Sequence, residues 1–391
     1  MLISKEQNFV FIKETLHMLR IHAIILAAFF VFQPHDNSIE TGGKKTLSDP
    51  KVIDGPYVVY RNDSVLVNYI EETGGVKQVR TETAASAAKN TITLQVNTDI
   101  PGKTFTVQLK QKLNNERSEY SGIKKMLVIS DIEGNFEALR KLLQGNNVID
   151  ENFNWTYGKD HVVLIGDFVD RGTMVTEVLW FIYMLEEKAK AAGGYVHFIL
   201  GNHEIMNMSN DLGYVNERYI HHAQLMNIPY IHLFDKHAEL GRWLATKNIA
   251  ERIGKTLFTH GGISAYMNMA AIPLKDLNDM ARDYYTDTTY EYPDQRLHVI
   301  YSDFGPFWYR GYYKAPRAGI GQIDSTLRLY GVNQITTGHT IISTEIRSLY
   351  DGKLYNTDVH HAEGHSEALL IDDKKFWRVN NKGEKFEIRP V

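Results

Sequence analysis

The stretch Val162-Val163-Leu164-Ile165-Gly166-Asp167-Phe168-Val169-Asp170-Arg171-Gly172 constrains this chain more than any other. Its branched apolar run reads as a buried strand, and the glycine after it lets the backbone turn sharply. Two carboxylates and an arginine follow at the strand's carboxyl end, where an open α/β sheet presents its chemistry. Asp167, at the tip, can bridge two metal ions. Asp170, one short turn later, can orient a partner, and Arg171 can grip an anion. Gly-Asp and Asp-Arg-Gly are also ordinary turn compositions, so this stretch alone leaves turn and site equally open.

Its surroundings narrow the choice. From about residue 121 apolar strands alternate with helical patterns. Met126 to Ile129 leads into Asp131, and Phe136, Leu139 and Leu143 then recur at helical spacing up to Gly145. Thr173 to Ala192 is a long helix with apolar positions around most of its surface, and Tyr195 to Leu200 is the next strand. Such repetition implies a partly parallel sheet with helices on its faces. Between Ile205 and Gly254 strands give way to helices, expected to cap the site. Thr256 to Thr259, Gln334 to Thr337 and Ala368 to Ile371 resume the strands, and Phe376 to Ile388 reads as a closing hairpin.

Ahead of this lie two other regimes. Ile21 to Phe32 is apolar apart from His22 and follows Arg20. That is too short for a comfortable membrane span and suits a signal-peptide core. Residues 1–33 are therefore expected to direct export to a periplasmic or extracellular space, or to tether the protein to a membrane; a docked helix in a cytoplasmic protein is the alternative. Residues 34–120 read as a linker and a small antiparallel β domain, with Val65, Val67 and Tyr69, then Ile92, Leu94 and Val96, then Phe105, Val107 and Leu109 alternating with polar positions. This unit holds no convergent His or carboxylate cluster, and docking or spacing is its default role.

Composition excludes some chemistry. Of 391 residues, 43% are hydrophobic and 23% charged, ordinary for a globular protein with a sizeable core. The net charge of −4 carries no basic stripe for nucleic acid, and there is no cysteine, which rules out disulfides and thiolate metal sites. Any metal must be held by His, Asp, Glu, Asn or water.

Five clusters sit just past apolar strands: Asp131-Ile132-Glu133-Gly134-Asn135, the Asp167 stretch, Gly201-Asn202-His203-Glu204, His260-Gly261-Gly262 and Gly338-His339-Thr340. Each places a potential ligand beside a glycine, which permits close approach to an ion or phosphate. A buried histidine bonded to a carbonyl is commoner than a metal ligand, but five such clusters in one half-chain are hard to explain by packing. Crowded carboxylates and imidazoles need partners, and cations supply them.

In this order the clusters resemble the calcineurin-like metallophosphoesterases and, within them, the phosphoprotein phosphatase superfamily. Leu200-Gly-Asn-His-Glu-Ile-Met-Asn, Glu239-Leu-Gly-Arg-Trp-Leu, Phe258-Thr-His-Gly-Gly-Ile-Ser and Gly305-Pro-Phe-Trp-Tyr-Arg-Gly look like the Shewanella-like protein phosphatases. The resemblance runs from about Met126 to Asp358. It implies an αββα sandwich with a helical cap over residues 121–391, binding two divalent ions. Asp167 would bridge the ions. Asp131 and Glu133 would hold the first, and Asn202, His260 and His339 the second. His203 would be the general acid, Asp170 its orienting partner, and Arg171 with Arg310 the phosphoryl clamp.

Position 133 carries Glu where the family has His, so the first ion would meet mainly carboxylate oxygens. That favours Mn²⁺, with Mg²⁺, Fe and Zn²⁺ as alternatives. The expected reaction is direct attack of metal-bound hydroxide on a phosphoprotein or a small phosphomonoester. Rival readings are a nucleotide polyphosphate hydrolase and, because of Glu133, a non-catalytic phosphate-binding descendant. His360, His361 and His365 have no counterpart and are read as an exposed loop.

Overall fold

The structure, a computed structural model, describes residues 50–391. The apolar run at 21–32, and with it the export or tethering expectation, lies outside the described residues. No helix among the described residues is long and apolar enough to cross a membrane.

The chain opens with β1 (Lys51–Arg61), β2 (Ser64–Thr73) and β3 (Val76–Ala85), an antiparallel meander turned at Asn62-Asp63 and Gly74-Gly75. A separate hairpin, β4 (Thr93–Asn97) and β5 (Thr104–Gln108), follows. Next come β6 (Glu119–Tyr120), β7 (Lys125–Ile129), α1 (Phe136–Gly145), β8 (His161–Ile165), α2 (Val175–Ala191), β9 (Tyr195–Ile199) and α3 (Asn202–Met208). The expected helical stretch supplies α4 (Glu217–Leu225) and α5 (Glu239–Leu244). Beyond it lie β10 (Ala250–Ile253), β11 (Thr256–Thr259), α6 (Ala265–Ala270), α7 (Leu274–Arg282), α8 (Gln295–Tyr301) and α9 (Ile320–Tyr330). The chain closes with β12 (Gln334–Thr337), β13 (Arg347–Leu349), β14 (Leu354–Asn356), β15 (Glu367–Asp372), β16 (Lys375–Asn380), β17 (Lys385–Glu387) and β18 (Arg389–Pro390).

Two mixed sheets form the sandwich. One has the order β17-β16-β15-β7-β8-β9, with β7, β8 and β9 parallel; the other runs β18-β13-β14-β12-β11-β10-β6, with β11, β12 and β14 parallel. Period two explains the unbroken apolar runs. Met126 and Val128 join Val163, Ile165, Ile199, Ile253, Phe258 and Leu369 in one cluster. Leu127, Ile129, Val162 and Leu164 join a second, with Phe136 and Leu139 of α1 and Trp180 and Phe181 of α2. Each strand is thus covered on both faces.

The apolar circumference of α2 has a cause of its own. Strands on both sides of residue 121 contribute to its surroundings. Val58, Val67, Leu94, Val96, Phe105 and Val107 share the Trp180 cluster. The Phe105 ring lies 5.2 Å from Phe181 and 6.1 Å from Phe136, and Trp180 Nε1 donates to the Pro56 carbonyl at 2.8 Å. A helix apolar all round must be buried all round. The described residues, 50–391, accordingly fall within one compact unit.

Candidate active site

The carboxyl ends of β7, β8, β9, β11 and β12 bring the five clusters to one edge of the sandwich. Backbone bonds knit them together: Asp131 N–H donates to the Gly166 carbonyl at 3.0 Å, Glu133 N–H to that of Asp167 at 2.9 Å, and Gly338 N–H to that of His260 at 2.9 Å. Asp131, Glu133, Asp167, Asp170, Arg171 and His339 all have φ between 48° and 70°. Side chains in that region cost about 1–3 kcal/mol each and persist only where the surroundings enforce them. Two glycines are required by contact. A Cβ on Gly201 would lie 2.2 Å from Asp167 Oδ1, and one on Gly338 would lie 2.3 Å from Asp131 Oδ2.

A cavity of about 700 Å³ opens over these tips, lined by Asp131, Glu133, Asp167, Arg171, His203, Arg310 and His339. Asn202 and His260 are buried beside Asp167. His260 Nδ1 donates to the Ile165 carbonyl at 2.7 Å, which leaves Nε2 facing Asp167 Oδ2 at 3.1 Å and Asn202 Oδ1 at 3.0 Å. His339 Nε2 donates to the Trp308 carbonyl at 3.1 Å, leaving Nδ1 as its acceptor nitrogen. The Asp131 carboxylate accepts the His339 backbone N–H at 3.1–3.2 Å.

His203 stands between carboxylates. Its Nδ1 donates to Asp170 Oδ2 at 2.7 Å, and its Nε2 lies 3.7 Å from Asp167 Oδ2. Asn207 Nδ2 fixes the other Asp170 oxygen at 2.7 Å. Burial opposes a charge on His203, but Asp167 and Asp170 outweigh it and hold the imidazole above its usual range. Burial likewise opposes charge on His260, which Asp167 nevertheless raises to about 10. His339 is pushed down by burial and by the His260 charge. Asp131 is pushed up to about 6, chiefly by burial and further by Asp167.

The donor set fits divalent cations. Asp167, His260 and His339 present ligand atoms within 4.8 Å of one another, as do Glu133, Asp167 and His203. His260 and His339, the candidate ligand histidines, each have their tautomer set by a backbone carbonyl, the usual arrangement for ligands. Asp131 and Asp358 are raised by burial and further by a neighbouring carboxylate, a charge that bound cations would neutralise. Glu133 is also drawn the other way, because its carboxylate is ion-paired with the Arg171 guanidinium. Arg310 Nη1 donates to Thr340 Oγ1 at 3.0 Å and to the His339 carbonyl.

Three features escaped the sequence reading. Asp358 lines the same cavity, its carboxyl raised by burial and by Asp131. It lies just past β14, so the strand-tip signal was present but hidden in a strand of only three residues, Leu354 to Asn356. Glu204, fully buried, accepts the backbone N–H groups of Asp167, Phe168 and Gly201 at 2.8–2.9 Å and latches two clusters together. Asp99, from the β4–β5 turn, reaches the cavity wall, where Arg140 holds it. The histidine loop needs a correction: His365 is exposed, but His361 is buried against Ser366, burial pushes it down to about 4, and with His360 it lines the cavity. His361 is turned inward rather than projecting outward.

A two-sheet sandwich with carboxylates, imidazoles and arginines gathered at its strand tips is the architecture of a metallophosphoesterase. Residues 124–343 match the calcineurin-like phosphoesterase family, and the chain belongs to that family. The cold-active protein-tyrosine phosphatase of a psychrophilic Shewanella species superposes with a TM-score of 0.76 at 32% identity, over 85% of this chain and 99% of that one. Shewanella-like protein phosphatase 1 of Plasmodium berghei is 29% identical over 185 residues, 45% of this chain and 49% of that one. Shewanella-like protein phosphatase 2 of Arabidopsis thaliana is 35% identical over 101 residues, 26% of each. The chain thus spans about half the length of the first of these two curated relatives and a quarter of the second.

Proposed function

We propose that this protein hydrolyses phosphomonoesters on proteins, phosphotyrosine included, with the phosphoryl group seated between Arg171 and Arg310. The observation that carries this reading is His203, held by Asp170 at 2.7 Å with its other nitrogen toward the Asp167 side of the cavity. A cavity that only bound phosphate would have no use for an oriented acid. Asp131, Glu133 and Asp167 would hold one cation, and Asp167, Asn202, His260 and His339 a second. Such cations, when bound, supply positive charge to the phosphoryl oxygens and acidify the attacking water. The arginine forks match phosphoryl oxygens in shape and charge. His203, whose charged form the two carboxylates favour, would deliver its proton to the departing ester oxygen, and Asp170 would keep the ring aligned while the charge is lost. The name of the Shewanella relative supports a tyrosine substrate.

Purified protein should hydrolyse p-nitrophenyl phosphate with Mn²⁺ and lose that activity to a chelator. A panel of phosphotyrosine, phosphoserine and phosphothreonine peptides should show turnover of the tyrosine ester. Inactivity on every phosphopeptide, together with turnover of a nucleotide polyphosphate, would overturn the substrate assignment.

A further inference from the structure

The loop that carries Arg171 cannot hold its own shape. Asp170 and Arg171 are consecutive non-glycine residues with φ of 70° and 54°, and such a pair persists only under external restraint. One set of restraints comes from the segment leading into α4. Arg171 N–H donates to the Tyr214 carbonyl at 3.0 Å, and Asn216 Nδ2 donates to the Arg171 carbonyl at 3.1 Å. The Tyr214 ring lies 5.1 Å from the Arg171 guanidinium and 4.8 Å from the His203 ring. Arg218, in the first turn of α4, donates from Nη1 to the Thr173 carbonyl at 2.9 Å.

Arg218 is anchored in turn by β1. Its Nη2 donates to the Ile53 carbonyl at 2.9 Å and lies 3.6 Å from Asp54 Oδ2. Asp54 is 1% exposed and accepts bonds from Tyr57 Oη at 2.8 Å and His222 Nδ1 at 2.7 Å, so α4 and β1 are bolted together twice. One guanidinium therefore spans from the N-terminal sheet to the backbone beside the phosphate-facing arginine.

We infer that Arg218, seated on Ile53 and Asp54 of β1, is a positioning residue for Arg171, and that the N-terminal sheet thereby sets phosphate affinity at the active site. This rests on the reading of Arg171 as a phosphoryl ligand. Arg218 does not line the cavity, and its effect passes through the Thr173 carbonyl. A lysine offers one point charge and cannot bond both carbonyls in the same fork.

The test is a double-mutant cycle on inorganic phosphate, read as its competitive inhibition constant against p-nitrophenyl phosphate. Arg171→Ala should raise that constant. Arg218→Ala should raise it and KM together by about tenfold, the low end for one lost hydrogen bond to a charged donor. Mn²⁺ content should not change. Arg218→Lys should fall between. In the double variant Arg218→Ala should add little, because the group it positions is gone. Asn216→Ala, which removes the bond to the Arg171 carbonyl and the cap that its Oδ1 places on the Arg218 N–H at the start of α4, should show a smaller rise and keeps the question answerable if Arg218→Ala misfolds. Unchanged phosphate inhibition in Arg218→Ala or, failing that protein, in Asn216→Ala, or losses that multiply in the double variant, would overturn the inference while Arg171→Ala still shows its loss. Unchanged inhibition in Arg171→Ala would overturn the reading of the clamp itself, and the positioning role with it.

Discussion

His203 and Glu133 are the residues on which the chemistry turns. His203 bonds Asp170 through Nδ1, so its proton is offered from Nε2. His203→Ala should slow alkyl phosphates far more than aryl phosphates, whose leaving groups hardly need protonation. General acid assistance is worth ~10²–10⁴-fold, and equal losses on both substrates, measured as kcat, would remove His203 from that role. Glu133 has two claims on it: the Arg171 guanidinium, and the space it shares with Asp167 and His203. Glu133→Ala should lose one of two bound ions by elemental analysis, together with most activity. Glu133→His should move the metal preference from Mn²⁺ toward Zn²⁺ or Fe, as imidazole replaces a carboxylate oxygen. Two tightly held ions and normal turnover in the alanine variant would leave Glu133 as the partner of Arg171 alone.

Among the elements, α2 carries a buried charge cluster around Glu186. Glu186, 1% exposed, meets Lys247 Nζ at 2.7 Å, Trp243 Nε1 at 2.9 Å and the Lys110 ammonium. Burial alone would raise its carboxyl; Lys247 and Lys110 outweigh burial and lower it to about 2. Lys247 is held above its usual value by Glu186 and Glu116 against burial, whereas burial and the Lys247 charge pull Lys110 below its own. Glu186→Gln leaves Lys247 buried with one carboxylate fewer and should destabilise the fold by ~3–5 kcal/mol in denaturant melts near neutral pH. A lowered carboxyl contributes stability above its unfolded value of about 4.3 and loses it as pH falls toward about 2. The gap between wild type and variant should therefore shrink between pH 5 and pH 2. A gap constant over that range would mean that Glu186 is not the charged partner.

For the molecule as a whole, the N-terminal strands complete a core. A chain beginning at Ser118 would strip Phe105 from Phe181 and Phe136, remove the lining of α2 supplied by Val58, Val67, Leu94, Val96 and Val107, and delete both β1 anchors of Arg218. Truncating a single core Phe to Ala costs ~3–5 kcal/mol, and a domain has only about 5–15 kcal/mol to lose. That fragment should be insoluble or unfolded on expression. A soluble fragment with wild-type turnover of p-nitrophenyl phosphate would show that the strands are dispensable.

Local pattern alone determined the strand-tip clusters, the helices between them and the closing hairpin. Val162 to Arg171 announces a buried strand and a site because each step follows from residues adjacent in the chain. The placement of Asp131, Asp167, Asn202, His260 and His339 was legible in the same way, since each follows its own strand. Tertiary structure decided the rest, because the remaining contacts join residues far apart in sequence. The alternation around Val67 and Phe105 showed a buried face but not that α2 would fill it. The three-residue strand Leu354 to Asn356 was too short to announce Asp358, and His361 looked like loop although the fold buries it beside Ser366. Arg218 is one surface-type arginine on a helix in the sequence. Only the folding of β1 against α4 makes it the link between the first strand and the residue that would grip phosphate.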